Sequence, residues 1–502
     1  MLRLFLALAT LAVLASPFGV AFYFSYEARW IGPQPPAPNP RIPAAELEQF
    51  RDASRTNVQP LGADPIVLGY HDITWNSASH YSVTPTAFAQ QMAMLRTAGY
   101  RCLTAGQFTR YMHGGSVPSR AVLVTFDDGT KGLWTYADKI LQRYDCHGVS
   151  FVITGRVGTH QPYYLTWQEI QRMQSSGRWD FESHTNHLHE QVRVSASGRL
   201  GDPLTQLIWL PRAHRRETLA QFRIRVSADL HTSISALTSH GLPRPRLFAY
   251  PFSEQFGSPP LTAAAYANAL ISRLFAAAMT NYLEPPVPVS RREAATKIIS
   301  RLEVVSTTSA QRLFNRLREM ASLQDGQAGP LHDNRRWLAE NGRQASVATA
   351  GRSISFRDNR KTWAYAAYAP GATADWSSYR LAVTAAGLRL PANPTATLSV
   401  RLGSPAQLSV SVSNHYVMVS SADLSRRRIR VGRDLLAADS HRIVIVVRPG
   451  RTKIMVDGAV LVTLRARRGR GGTGGFALAA FRSDRRRPFP FFTGIACRGI
   501  RG

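Results

Sequence analysis

Residues 121–129, Ala-Val-Leu-Val-Thr-Phe-Asp-Asp-Gly, restrict the fold more than any other stretch of the chain. An apolar run of this kind reads as a strand covered on both faces, the pattern of parallel sheets flanked by helices. It stops at Asp127 and Asp128, and Gly129 closes the turn. Two hard oxygen donors therefore sit at the C-terminal mouth of a buried strand, where α/β barrels gather reactive groups. A plain Asp-Asp-Gly turn is the competing reading, and partners further along the chain bear on the choice.

The surrounding sequence repeats the same rhythm. Ile66 to Asp72 is another buried-strand pattern ending in polar residues, followed by a helix with Thr84 as N-cap, Pro85 at its first position and Phe88, Met92 and Leu95 as its apolar stripe. Helix over Leu133 to Tyr144, strand over Gly148 to Thr154, helix over Thr166 to Ser175, then strands at Trp179 to Ser183 and Leu247 to Tyr250 continue it. Alternation of this kind predicts an α/β barrel or doubly wound sheet, assigned to residues 61–308. Residues 309–345 read as a linker, and residues 346–502 as an all-β sandwich of jelly-roll or concanavalin-like texture with short alternating strands. Asp457-Gly458 between two apolar runs predicts a hairpin.

A chain of 502 residues with 44% apolar content is long enough for two or three cores and is not disordered. Its net charge of +29, mostly arginine, favours anionic surfaces such as lipid headgroups or a phosphate-bearing cell-wall polymer. No nucleic-acid motif accompanies the charge. Leu4 to Tyr26 carries no charge over 23 residues, enough to span a bilayer, so residues 1–30 read as an uncleaved signal anchor, with secretion after signal cleavage as the alternative. Residues 31–60 read as a proline-rich spacer holding an extracytoplasmic domain away from the membrane. Cys102, Cys146 and Cys497 lack metal-knuckle or redox spacing; outside the cytoplasm Cys102 and Cys146 could pair, leaving Cys497 single.

Three histidines fall within Trp179 to His189, Trp-Asp-Phe-Glu-Ser-His-Thr-Asn-His-Leu-His. His184 and His189 are five residues apart and converge only if the chain turns at Thr185 and Asn186, which suit a turn. Neutral imidazoles beside a carboxylate are the donor set of a hydrolytic zinc site. On spacing alone His187 substitutes for either neighbour, and a solvated histidine cluster without metal is the bland alternative.

From about Ile66 to Val304 the chain resembles the polysaccharide deacetylase, or NodB-homology, family of carbohydrate esterases. Thr125 to Gly129 resembles its first motif. His184-Thr185 with His189 resembles the second, in the longer-spaced form of poly-β-1,6-N-acetylglucosamine deacetylases, and Phe248 to Phe252 resembles the third. Tyr70-His71-Asp72 fits the permuted order of that branch, in which a catalytic histidine comes first.

The resemblance implies a distorted (β/α) barrel in which Asp128, His184 and His189 hold a divalent metal, foremost Zn2+. It makes Asp127 the general base and His71 the acid that protonates the leaving amine. No histidine lies between His240 and His332, so an acid of that type must come from earlier than the last part of the barrel. The oxyanion and substrate set would be Phe248, Tyr250 and Pro251, with Tyr250 nearest, and Arg301 either orients Asp127 or is a structural ion pair. Lys131 stands where the family often has an aromatic, and Ser253 where it often has glycine.

The implied substrate is an acetylated amino-sugar polysaccharide at the cell surface. Peptidoglycan, chitin or acetylxylan, or a non-catalytic glycan-binding role, are the alternatives. Trp134 and Trp167 are candidate sugar platforms near the site, and Trp363, Trp376 and Tyr416 in the sandwich, though packing is the commoner use of such residues.

Overall fold

The computed structural model describes residues 31–55, 64–76, 79–160, 162–256, 262–281, 288–326, 334–350, 353–357, 361–389, 394–421, 430–465 and 472–500. The expected anchor at 4–26 lies outside them, and no helix among the described residues is long and apolar enough to cross a membrane.

Eight parallel strands build the first domain: β1 (Ile66–Tyr70), β2 (Ala121–Phe126), β3 (Gly148–Val152), β4 (Trp179–Ser183), β5 (Leu247–Ala249), β6 (Ala277–Thr280), β7 (Ile298–Ser300) and β8 (Leu302–Glu303). Their order is β7-β6-β5-β4-β3-β2-β1-β8, so the two edge strands are consecutive in sequence and separated by Arg301 alone. The Arg301 N–H bonds to Thr280 O on one side of this seam, and Leu302 pairs with Leu68 on the other. The sheet is thereby curled into a nearly closed barrel, as expected. Every residue of β1, β2 and β3 is buried, which explains their unbroken apolar runs.

Helices cover the barrel. Thr84 caps the helix Pro85–Thr97 by accepting from Ala87 N, and Phe88, Met92 and Leu95 are buried beneath it. Cys102 and Cys146 form a disulfide, while Cys497 is free and buried in the second domain. Because the bridge spans 44 residues, the loop-entropy account assigns it roughly 2–4 kcal/mol. Cys102→Ser with Cys146→Ser should lower the thermal midpoint by several degrees in a melting experiment.

Two boundaries differ from expectation. Of the segment read as a free spacer over 31–60, residues 31–55 lie on the barrel: Gly32 N bonds to Glu169, Gln34 donates to Asp138 and the Trp134 carbonyl, and Phe50 of the helix Ala44–Arg55 packs edge-on against Phe314. Its prolines make it extended, and extended chain can lie in a groove as readily as bridge a gap. The segment read as a linker over 309–345 begins with the helix Ala310–Met320, capped by Ser309, whose Leu313, Phe314 and Leu317 belong to the barrel core. The barrel domain therefore ends near 320 rather than 308. Leu323 and Trp337 already belong to the second core.

That second domain is a sandwich of two seven-stranded antiparallel sheets. The first has the order Trp337–Leu338, Trp363–Tyr368, Phe476–Phe481, Thr395–Val400, Leu408–Val412, Tyr416–Ser421, Arg430–Asp434. The second has Val347–Ala350, Ser353–Phe356, Phe491–Gly499, Tyr379–Ala386, Ser440–Arg448, Arg451–Val456, Ala459–Arg465. Asp457-Gly458 makes the expected hairpin, with Asp457 itself at φ +48°. Leu398, Val410 and Phe476 of one sheet meet Leu381, Ile445 and Ile454 of the other. Trp376 is part of this core, its Nε1 bonded to Leu323 O, so it is no sugar platform.

The domains are tied together. Arg292, on the barrel helix Arg291–Thr296, donates to Leu402 O, and Arg291 N bonds to Asp375. In the same helix burial pushes the Glu293 carboxyl up to about 8, while Ser300 N donates to it. A raised carboxyl pKa means that the folded state holds the proton more tightly, so this contribution to stability is complete below about 4.5 and lost as pH climbs through 8. Glu293→Gln should flatten the decline of the melting temperature over that window.

Candidate active site

Because all eight strands run parallel, the residues that follow them meet at one mouth. His71 follows β1, Asp127 and Asp128 follow β2, His184 follows β4, Tyr250 follows β5 and Asn281 follows β6, with Arg301 at the seam after β7. Sequence positions 230 residues apart thus share one site.

Asp128, His184 and His189 come together. Asp128 Oδ1 is 3.3 Å from His189 Nε2 and 3.6 Å from His184 Nε2, and the two Nε2 atoms are 2.9 Å apart. The His184 Nδ1 is bonded to Ala249 O at 2.8 Å, which assigns its proton to Nδ1 and leaves the Nε2 lone pair facing the site. Burial first, and then the charge of His189, push His184 down to about 4, so it stays neutral. Asp128 Oδ1 is buried without a hydrogen-bond partner. An orphaned carboxylate oxygen facing two imidazole nitrogens fits a divalent cation.

Backbone strain and one distant carboxylate shape this cluster. Asp128 and Thr185, neither of them glycine, have φ near +73° and +71°, a conformation tolerated where surrounding structure enforces it. The turn between the histidines is held from outside. Asp229, on the helix Leu219–Ser239, accepts from Asn186 N at 2.9 Å and His187 N at 2.7 Å, and Thr154 Oγ1 donates to the side-chain Oδ1 of Asn186. His187 points elsewhere: it is exposed and lies against Gly155, where a Cβ would fall 2.4 Å from the imidazole. The five-residue spacing is therefore used by His184 and His189, with His187 excluded.

Asp127 is in a different environment from its neighbour. Both of its oxygens are taken by Arg301, Nη1 to Oδ1 at 2.7 Å and Nη2 to Oδ2 at 2.6 Å, and both residues are buried. Burial alone would raise this carboxyl, but the Arg301 guanidinium, with His184 and His71 adding, overrides it and holds Asp127 well below the usual carboxylate range. Arg301 Nε is fixed by Asn281 Oδ1, and Asn281 in turn bonds to Glu303 and, through its N–H, to Ser253 Oγ. His71 Nε2 lies 3.9 Å from Asp127 Oδ2, its Nδ1 has no partner, and Tyr81 packs against its ring. Asp72 is not among the three clustered donors and accepts from Thr130 Oγ1 at 2.7 Å; a Cβ on Gly132 would fall 2.2 Å from Asp72 Oδ1, so only glycine fits there.

The third motif needs correction. Phe248 is fully buried in the core behind the site, Pro251 is buried, and Tyr250 is 2% exposed with its phenol bonded to Asn268 and its N–H to Met279 O. Strand pairing has consumed the Tyr250 N–H, so Tyr250 offers no donor to a reacting oxygen. The loop residue that faces the cluster is Phe252, whose ring is 5.1 Å from His189 and whose N–H meets no backbone acceptor among the described residues. Phe252 and Ser253 both adopt positive φ, and Ser253 secures its strained turn through Asn281 rather than through glycine's freedom.

Lys131 turns inward to a 2.8 Å ion pair with buried Glu169. Trp134 is buried with Nε1 on Gly32 O, and Trp167 stacks on His240 at 3.7 Å. Both rings are engaged in packing.

Residues 114–269 match the polysaccharide deacetylase family model. That span holds Asp127, Asp128, His184, His189 and the Phe248 to Phe252 loop; His71 and Arg301 lie outside it. A poly-β-1,6-N-acetyl-D-glucosamine N-deacetylase of Escherichia coli K12 is 26% identical over 208 residues, covering 38% of this chain and 31% of that protein. One of Staphylococcus epidermidis is 34% identical over 113 residues, covering 22% and 39%. The chain thus spans well under half the length of either relative. A solved de-N-acetylase from Aggregatibacter actinomycetemcomitans is 18% identical with a TM-score of 0.43, covering 50% of this chain and 99% of that one.

Proposed function

We propose that this chain, whose residues 114–269 form a polysaccharide deacetylase domain, is a metal-dependent hydrolase that removes N-acetyl groups from an amino-sugar polysaccharide of the poly-β-1,6-N-acetylglucosamine type. The observation that carries the reading is the division of labour between adjacent carboxylates: Asp128 belongs to the two-histidine cluster, and Asp127 is clamped by Arg301 and faces His71.

Asp128, His184 and His189 would hold the metal, most suitably Zn2+ given two imidazoles and one carboxylate. When bound, it supplies Lewis-acid polarisation of the acetamide carbonyl and lowers the pKa of water. Asp127, kept ionised at every pH of interest, takes the proton of the attacking water. His71 delivers a proton to the departing amine nitrogen. The Phe252 N–H donates to the developing oxyanion.

The enzyme works outside the cytoplasm, anchored by the apolar segment at 4–26. The Cys102–Cys146 disulfide supports an oxidising compartment. The outer face of the second sandwich sheet supports an anionic partner such as a phosphate-bearing wall polymer: Arg380, Arg442, Arg448 and Arg498 are all exposed there, on strands whose alternate residues fill the core. Replacing these four arginines by glutamine should lower the salt concentration that elutes the protein from an immobilised polyphosphate column.

Acetate release from poly-β-1,6-N-acetylglucosamine oligomers by residues 31–502, after chelation and with zinc restored, tests the central reading. Zinc-restored release supports it. A folded, zinc-loaded protein that releases no acetate from these oligomers sinks it.

A further inference from the structure

We propose that the solvent face of the first sandwich sheet is a second polysaccharide site, a trough across the strands that takes the same amino-sugar polymer in extended form; the choice of polymer rests on the function proposed above. The inference starts from strand register. In the strand Trp363–Tyr368 the even positions face the core, as Ala366 and Tyr368 show, so Trp363, Tyr365 and Ala367 face outward. Register carries that face across the sheet: Trp363 stands opposite Phe481, and Phe481 opposite Thr395. One step along, Tyr365 faces Ala479, Ala479 faces Thr397, and Thr397 faces Ser411.

The outward face of an exposed antiparallel sheet ordinarily carries long charged or polar side chains. Here, across four neighbouring strands, the outward positions from Trp363 to Ser411 bear no charge among the described residues. Their floor is alanine, serine and threonine; the row of Ala367, Ala477 and Ser399 is buried, so the accessible part is the rows of Trp363 and Tyr365, where Thr397 Oγ1 is bonded to Ser411 Oγ at 2.8 Å. Aromatic rings rise along one side of it. Trp363 is 40% exposed, Phe481 39% and, on the fifth strand, Tyr416 38%. The Trp363 and Tyr365 rings stack with nearly parallel planes, 15° apart with centroids at 5.7 Å. At the usual strand spacing, the Trp363 and Tyr416 strands are about 19 Å apart, room for several pyranose units.

Exposed aromatic rings beside a bed of hydroxyls suit a pyranose chain, whose C–H faces stack on rings and whose hydroxyls and acetamido groups exchange hydrogen bonds. Beside Trp363 and Tyr365 opens a cavity of about 370 Å³ lined by Glu340, Asn341, Arg343 and Lys361, groups able to fix the orientation of one sugar. The contrast with the other sheet favours an uncharged chain on this face: the outward positions from Trp363 to Ser411 carry no cation, and Arg343 and Lys361 of the adjoining cavity are accompanied by Glu340. A protein strand would add at a sheet edge through backbone pairing, not on a face.

The test uses full-length protein carrying Asp127→Asn, so that the polymer stays acetylated during measurement, with affinity for long poly-β-1,6-N-acetylglucosamine read by affinity electrophoresis or calorimetry. Trp363→Ala and Phe481→Ala should each weaken binding about 10-fold, the loss expected for one stacking ring, while Trp363→Tyr restores most of it and melting temperatures stay unchanged. Unaltered affinity in both alanine variants overturns the proposal. Tight binding of an unsubstituted β-glucan in place of the amino-sugar polymer overturns the ligand. If the polymer binds through Trp363 but the zinc-loaded protein with Asp127 intact releases no acetate from it, the proposed activity is refuted and this site stands.

Discussion

Asp127→Asn should reduce the rate of acetate release by about 10²–10⁴-fold, the range that a positioned general base contributes, without changing the amount of metal bound. The second half of this expectation separates the two carboxylates. Asp127 contacts Arg301 and approaches His71, but it does not belong to the three-residue donor cluster. Asp128→Asn and His184→Ala should lose activity and metal together, because each removes a donor from that cluster. Metal content measured by mass spectrometry alongside single-turnover acetate release distinguishes the classes. A variant Asp127→Asn that lost its metal would place that carboxylate in the metal set and undo the assignment. The pH dependence carries a sign as well. Asp127 is held well below the ordinary carboxylate range, so it remains ionised as pH falls through 4, and any loss of rate on that limb belongs to another group.

Much of this site was legible because it depends on local chemistry. A strand buried on both faces declares itself as an apolar run, and the polar residues that end it mark the barrel mouth, which is how His71, Asp127, Asp128 and His184 were found. The choice between His187 and His189 was not legible. It is made by Asp229, 40 residues beyond His189 on a helix that is packed against the turn, and nothing local to either residue signals the pairing. Tyr250 misleads for a related reason: which backbone N–H remains available depends on where pairing with β6 stops, and that pairing runs one residue past the end of β5, into the middle of the motif. The terminal segments failed differently. Proline content at 31–60 reports stiffness but not contact, and the Leu313, Phe314 and Leu317 stripe at 310–320 was a helical signal that the polar residues around it obscured. In the sandwich, Trp363 and Trp376 look alike in sequence. One faces solvent and the other fills the core, because only the register of the sheet distinguishes the two faces.

Arg301→Met should both destabilise the protein and impair it, and the two effects can be separated. Removing the guanidinium leaves the buried Asp127 carboxylate without its partner, a change that costs roughly 3–5 kcal/mol. For a domain of this size that corresponds to a fall of about 10 °C in melting temperature. Asp127 would respond by rising from its depressed pKa, since burial, the opposing influence, remains. Arg301→Lys is the informative companion. Lysine keeps the charge but replaces a two-point clamp with a single contact, and it forfeits the Nε bond to Asn281 that aims the group across the barrel seam. If Arg301 serves only as an ion pair, Arg301→Lys should recover most of the stability and with it the rate. If it positions the base, stability should recover while kcat stays 10- to 100-fold down with KM little changed, because a carboxylate displaced by about an ångström loses its alignment with the water. The second outcome is the one expected here. Both carboxylate oxygens are bonded in parallel to the same guanidinium, and that guanidinium is itself bonded to the residue that secures the Phe252 loop. The seam that closes the barrel thereby also fixes the angle at which Asp127 meets its proton.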